Sequence, residues 1–268
     1  MKLLKYETYR ILKNHYKGFI ILLILNIILI CLYNAIYYNS EFVTNAIANT
    51  DPKVLKIFDI SKDKFTTING YFIFIVKVIE IIFSLYALKI GIQMASYDKK
   101  TNTRDFLYTK PKKRNTTIIN RIISSAIVLA LEVIAIYISS IILFVTFRKE
   151  FNVLIILLVL FSMYLIALIF YSLGLVIGGF KNGKTPIIVV STITIVIFII
   201  IHILDILFNI KFLYYLNPFS YFNISEMLSG GSFPLSALLI ALFMLVFFIS
   251  FGISIYESNN KKKDTTNL

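Results

Sequence analysis

Six apolar runs, each long enough to cross a lipid bilayer, constrain this chain more than any other feature: residues 19–38, 71–94, 122–147, 153–177, 186–208 and 235–256. An α-helix rises 1.5 Å per residue, so about twenty residues bridge a hydrocarbon layer of about 30 Å. With those runs set aside, no remaining segment exceeds about thirty residues, too few to bury a core of its own. Composition agrees. Hydrophobic residues make up 58% of the 268 positions and charged residues 15%, whereas soluble domains are roughly half apolar and one-quarter charged. Mean hydropathy is +0.83. The pattern predicts one all-α integral membrane domain with six transmembrane helices.

The first run follows a polar leader of eighteen residues. Although Ala46-Ile47-Ala48 looks like a signal-peptidase site, leader and run are both too long for a secretory signal, so the run is read as an uncleaved span. Cys31, the one cysteine, lies within it and has no intrachain disulfide partner; a lone thiol there is a small packing residue. Tryptophan is absent, so tyrosines such as Tyr33, Tyr37, Tyr38, Tyr71, Tyr214 and Tyr215 take the interfacial aromatic role. The abundance of Ile, Lys and Asn is that of low-GC bacterial proteins, which makes a bacterial plasma membrane the expected location.

Lysine and arginine set the orientation. If the chain weaves regularly, seventeen of them fall on one side, in the leader, the segment between spans two and three, the loop after span four and the tail; seven fall on the other. Short basic loops stay cytoplasmic, so both termini are expected inside. The net charge of +13 then reflects topology and anionic lipids rather than nucleic acid. On a helical wheel Leu4, Thr8, Ile11, Leu12 and His15 share one arc of the leader, opposite Lys2, Lys5, Lys13 and Lys17. Residues 1–18 are therefore read as an amphipathic interfacial helix, the alternative being a solvated basic leader.

Residues 178–185, GGFKNGKT, satisfy the phosphate-binding pattern G-x-x-x-x-G-K-[ST]. That loop works between a buried strand and a helix of a parallel sheet, with an acidic magnesium partner. Here it joins two spans and no segment offers the sheet. A tight turn explains it better, with glycines for the bend and Pro186 starting the next helix.

Residues 97–121 read YDKKTNTRDFLYTKPKKRNTTIINR. Phe106 and Leu107 stand among charges, suited either to a groove on a cytoplasmic partner or to an ordinary basic loop. The segment resembles the cytoplasmic loop of ABC-2 type transporter permeases, which runs acidic-basic-basic-x-Gly-Thr, a Leu-Leu pair, Pro, Arg and a later Lys. Asp98, Lys99, Lys100, Thr103, Phe106-Leu107, Pro111, Arg114 and Arg121 occupy those positions. Asp98 replaces the usual Glu, Asn102 the Gly, and Phe-Leu the Leu-Leu. Residues 216–221, with Asn217, Pro218 and Phe219, are similar to an element before that family's last span. The resemblance covers the whole chain. It implies an elbow helix at 1–18, a coupling helix at 98–114 that docks on a separate ATPase, and outer re-entrant helices at 209–233. It also implies a working unit of two permeases, identical or not, with two cytoplasmic ATPase subunits. ATP and magnesium would be bound by the ATPases, leaving no cofactor in this chain.

Ionisable groups inside spans are costly and default to functional candidates. Lys77 and Glu80 are three residues apart on span two and share a face; Glu132 on span three lies at similar depth, so an interhelical pair is feasible. They fit either a structural ion pair or a substrate contact. Lys89, near the inner end, snorkels. His202 and Asp205 share a face of span five near its outer end, too few for a metal site. With two histidines far apart and no hydrolase elbow, the chain is expected to be a transport subunit rather than an enzyme. The reading is an exporter permease for amphipathic or antimicrobial peptides, or one conferring resistance to them. The alternative is a non-transporting immunity or sensor protein.

Overall fold

The structure, a computed structural model, describes residues 2–33, 36, 40–58, 60, 65, 67–100, 114–147, 151–180, 186–223 and 233–264, without side chains at 2, 40, 98–100, 114, 115, 211 and 259–264. Among these residues every regular element is helical: α1 Lys2–Cys31, α2 Ser40–Ala48, α3 Pro52–Ile57, α4 Ile68–Lys100, α5 Arg114–Thr146, α6 Val153–Phe180, α7 Ile187–Phe208, α8 Lys211–Leu216 and α9 Leu235–Asp264, with a 3-10 turn at Pro218–Ser220. Six of them (α1, α4, α5, α6, α7 and α9) are long and apolar enough to cross a membrane. They alternate in direction, so that α1 starts and α9 finishes at the same end, here termed the near end.

Local chemistry sets several boundaries. Asn152 accepts from the Leu154 and Ile155 amides at the start of α6. Asp51 accepts from the Lys53 amide ahead of Pro52 at the start of α3. These oxygens satisfy helix-start donors that have no intrahelical acceptor. Pro186 precedes the first turn of α7, and Asn209 ends it in the left-handed region (φ 52°), its amide bonding the Asp205 carbonyl at 2.7 Å.

The centre of the bundle is the parallel pair α4 and α6, whose contacts advance together from Leu88 and Gly174 to Ala95 and Gly178. Of the residues of α4 crossing the apolar layer, 72% are buried inside the protein, against 11% for α7. Small residues bring the two backbones together. A Cβ at Gly91 would lie 2.1 Å from the Tyr171 carbonyl oxygen, one at Gly174 2.4 Å from that of Leu88, and one at Gly178 2.5 Å from that of Ile92. Lipid tails are as apolar as leucine, so such close backbone packing supplies the contact energy that hydrophobicity supplies in water. Helix α9 flanks α6, with Gly179 against Ile255 and Gly252 against Leu175.

Two expectations change here. Gly178 and Gly179 do not make a bend: they belong to the last turn of α6 and serve helix packing, while residues 181–185 lie outside the described residues. Nor does any break mark residue 18. Helix α1 runs continuously for 30 residues, about 45 Å. Its buried positions, Glu7, Ile11, His15, Leu22, Asn26 and Ile30, form one stripe at intervals of four and seven. The leader face carrying Ile11 and His15 is turned into the protein.

Candidate functional site

Among the described residues, groups of polar side chains lie within the bundle at its near end, its middle and its far end. At the near end, Glu7 of α1 pairs with Arg10 one turn on and lies 3.5 Å from Arg121 Nε of α5. Arg10 stacks 3.9 Å over the Tyr97 ring of α4, and Arg121 lies 5.2 Å from that ring. Arg121 Nη1 donates to the Met94 carbonyl at 3.3 Å, and Ser124 Oγ to that of Leu4 at 3.2 Å. Glu7 and Arg121 are both buried. Two guanidiniums on one carboxylate and one ring join three helices where α4 runs towards residue 100 and α5 begins at 114. Sequence reading placed Arg121 in the loop pattern but counted Arg10 only towards topology. It also passed over Glu7, although that is the only acid in the leader and flanks its apolar arc.

The coupling residues expected in the loop are reached only in part. Asp98 lies in the last turn of α4 and Arg114 is the first residue of α5, with no side chain described for either. Thr103, Phe106, Leu107 and Pro111 lie outside the described residues.

In the middle, Lys77 Nζ is 3.5 Å from Glu80 Oε1 and donates to the Phe222 carbonyl at 3.3 Å. The interhelical pair with Glu132 that depth made feasible is not formed. Glu132 is fully buried in α5, and neither carboxyl oxygen has a hydrogen-bond partner. Comparable depth did not ensure comparable facing, because Lys77 turns towards the segment that follows α7. That segment returns into the bundle: Lys77 lies about 13 Å along α4 from Ile68, and the Phe222 carbonyl is within its reach. Asn217, Pro218, Phe219, Tyr221 and Phe222 are all buried, as irregular backbone at membrane depth must be.

At the far end the two sequence-derived groups meet. Ser220 Oγ donates to Asp205 Oδ2 at 2.8 Å, accepts from Asn217 Nδ2 at 3.2 Å and lies 3.0 Å from His202 Nδ1. A serine hydroxyl has one proton. With that proton on Asp205, His202 Nδ1 must carry its own hydrogen to bond Ser220, which fixes the ring tautomer. Asn217 Oδ1 accepts the Phe219 amide, closing the 3-10 turn. Phe219 packs on Phe170 (4.9 Å between ring centres) and His202 (6.5 Å). Tyr221 donates to the Tyr215 carbonyl; burial, helped by the neighbouring Tyr214, pushes its pKa above the usual tyrosine range. Beside this cluster is a cavity of about 1030 Å³, walled by α3, the end of α7, α8 and the start of α9.

Among the described residues no three His, Cys, Asp or Glu side chains converge as metal ligands. The arrangement makes two mechanical tethers, Lys77 to Phe222 and Asp205 to Ser220, and one accessible chamber. Ser220 gave no signal in the sequence, because its role depends on the chain turning back after α8. No protein-family model matches the chain, and no curated protein sequence matches it.

Proposed function

We propose that this chain is the membrane-embedded permease subunit of an ABC-2 type exporter, driven by a separate cytoplasmic ATPase. The observation that carries the reading is the near-end node of Glu7, Arg10, Tyr97 and Arg121. Arg121 is part of the loop pattern that resembles the family. Through the node, a force applied to residues 98–114 is delivered at once to α1, α4 and α5. On this reading the near end is cytoplasmic, residues 1–18 are the inner-surface portion of α1, and residues 209–233 fold back from the outer side. Two permeases and two ATPases make the working unit, and ATP and magnesium are held by the ATPases. The cargo is an amphipathic peptide, exported or expelled in resistance; the apolar bundle with few internal charges favours such a molecule.

The test is co-expression of the full chain with the ATPase encoded beside it, followed by purification and hydrolysis assays. The chain alone is expected to hydrolyse no ATP, and to co-purify with an ATPase whose rate responds to cargo. Phe106→Ala and charge reversal at Arg114 are expected to uncouple hydrolysis from transport while leaving the helical signal unchanged. Hydrolysis by the lone chain, or transport that survives both substitutions, overturns the reading.

A further inference from the structure

Helix α3 presents Lys53 and Lys56, one turn apart and both exposed, to the far-end cavity. Lys53 Nζ lies 3.5 Å from the Leu207 carbonyl, in the last turn of α7, which fixes its ammonium group on the cavity wall. Neither lysine has a carboxylate within ion-pair distance among the described residues. Asp205 is the one acid lining the cavity among those residues, and it already accepts from Ser220. Among the described residues, the chamber therefore carries more positive than negative side chains. On the orientation proposed above these lysines face outwards, where the positive-inside preference disfavours them. Their position on the cavity wall suits an anionic ligand.

The neighbouring surface indicates what kind of ligand. Phe208 and Phe212, at the end of α7 and in α8, are 67% and 69% exposed. Aromatic rings at that level mark the boundary between headgroups and acyl chains. The cavity adjoins that apolar rim, and its volume is at the upper end of the range for small-molecule sites.

We propose that the far-end cavity binds the phosphate of an anionic amphiphile, with Lys53 and Lys56 on the headgroup and the tails along the rim formed by Phe208 and Phe212. Lys56 supplies a free point charge. Lys53 donates its remaining N–H groups while tethered to α7. A zwitterionic headgroup fits less well, because its own ammonium cancels the attraction and Asp205 is engaged. The site does not depend on the transport reading. It uses only the geometry of the far end and, for the source of the ligand, the orientation.

The experiment is calorimetric titration of the purified full chain in neutral detergent with dihexanoylphosphatidylglycerol, dihexanoylphosphatidylcholine and inorganic phosphate. The anionic lipid is expected to bind saturably. Its affinity is expected to fall by at least about tenfold in Lys53→Gln/Lys56→Gln, which corresponds to losing one charge-assisted contact. Lys5→Gln/Lys13→Gln, with the same change in net charge at the near end, is expected to bind as wild type. Should loss of the Lys53 tether disturb the fold, Lys56→Gln alone removes no hydrogen bond within the described residues and is expected to weaken binding at least about threefold. Competition by inorganic phosphate at matched concentration identifies the source as a free anion. Failure to compete identifies a lipid headgroup. Wild-type affinity in the Lys53/Lys56 variant, or equal binding of the phosphatidylcholine, overturns the proposal.

Discussion

A methyl group added at Gly91 tests the account of the bundle centre. The new Cβ would sit 2.1 Å from the Tyr171 carbonyl oxygen, whereas ordinary contact begins at 3.4 Å. A backbone carbonyl in mid-helix has no rotamer to escape into, so α4 and α6 must part by about 1.3 Å there. A gap of 0.5–1 Å already forfeits a quarter to a half of a van der Waals contact, and overpacking costs typically 1–3 kcal/mol. A cost of about 3 kcal/mol, offset by about 1 kcal/mol of improved helix propensity, leaves Gly91→Ala about 2 kcal/mol less stable. Gly18→Ala is the internal comparison. Its Cβ would meet the Tyr86 ring edge at 2.4 Å, but a side-chain ring, unlike a mid-helix carbonyl, can rotate aside. The change sacrifices the bond from Tyr86 to the His15 carbonyl, 2.8 Å long and worth about 1 kcal/mol, and regains a similar amount from propensity. Reversible unfolding of both variants in mixed micelles, followed by far-ultraviolet circular dichroism as dodecyl sulfate increases, measures the difference directly. If Gly91→Ala proves as stable as Gly18→Ala, close backbone contact does not hold α4 to α6.

Glu7→Ala strips the counter-charge from two guanidiniums, one deeply buried, and is expected to cost 3–5 kcal/mol; Glu7→Ala/Arg121→Met should recover at least about 1 kcal/mol in the same titration. Tyr221 has a raised pKa in the folded protein, so its contribution is fully present below the unfolded value of about 10 and is lost as pH rises beyond it. Tyr221→Phe should therefore melt lower at neutral pH, by the loss of about 1 kcal/mol of hydrogen bonding, and show a shallower decline across alkaline pH. Thermal unfolding with and without ATP is expected to coincide in wild type and in Lys184→Ala, because Gly178–Phe180 continue a helix instead of opening a phosphate loop.

The spans were legible because a twenty-residue apolar run needs no tertiary partner to identify it; the seventh-helix bounds 187–208 lie within a residue of the predicted 186–208. The leader was harder. Its composition changes at residue 18 while its backbone hydrogen bonding does not, and the neighbours that bury Glu7 come from α4 and α5, far away in sequence. Spacing placed His202 and Asp205 on one face, and the structure unites them through Ser220. Depth along a helix can be counted in a sequence, but rotation about its axis relative to neighbours cannot. That is why the Lys77–Glu80 pair on one face could be read from spacing, whereas the feasible pair with Glu132 is replaced by Phe222. The glycine seam was written as Gly174-x-x-x-Gly178 opposite Gly91 and Ala95, a small-residue spacing whose partner helix only the packing reveals.

The order of the helices also bears on biosynthesis. Helix α4 is the second long apolar helix to leave the ribosome, yet its glycine-lined face is met by α6, the fourth. Its Lys77 is satisfied in part by a carbonyl at residue 222, made after the fifth. The nascent chain must hold α4 in the bilayer with that surface uncovered until most of the protein exists, and Glu80, three residues away, is the partner available to Lys77 meanwhile. Chains truncated after α5 should therefore be held by membrane chaperones or degraded, while those reaching residue 223 acquire the contacts that release them.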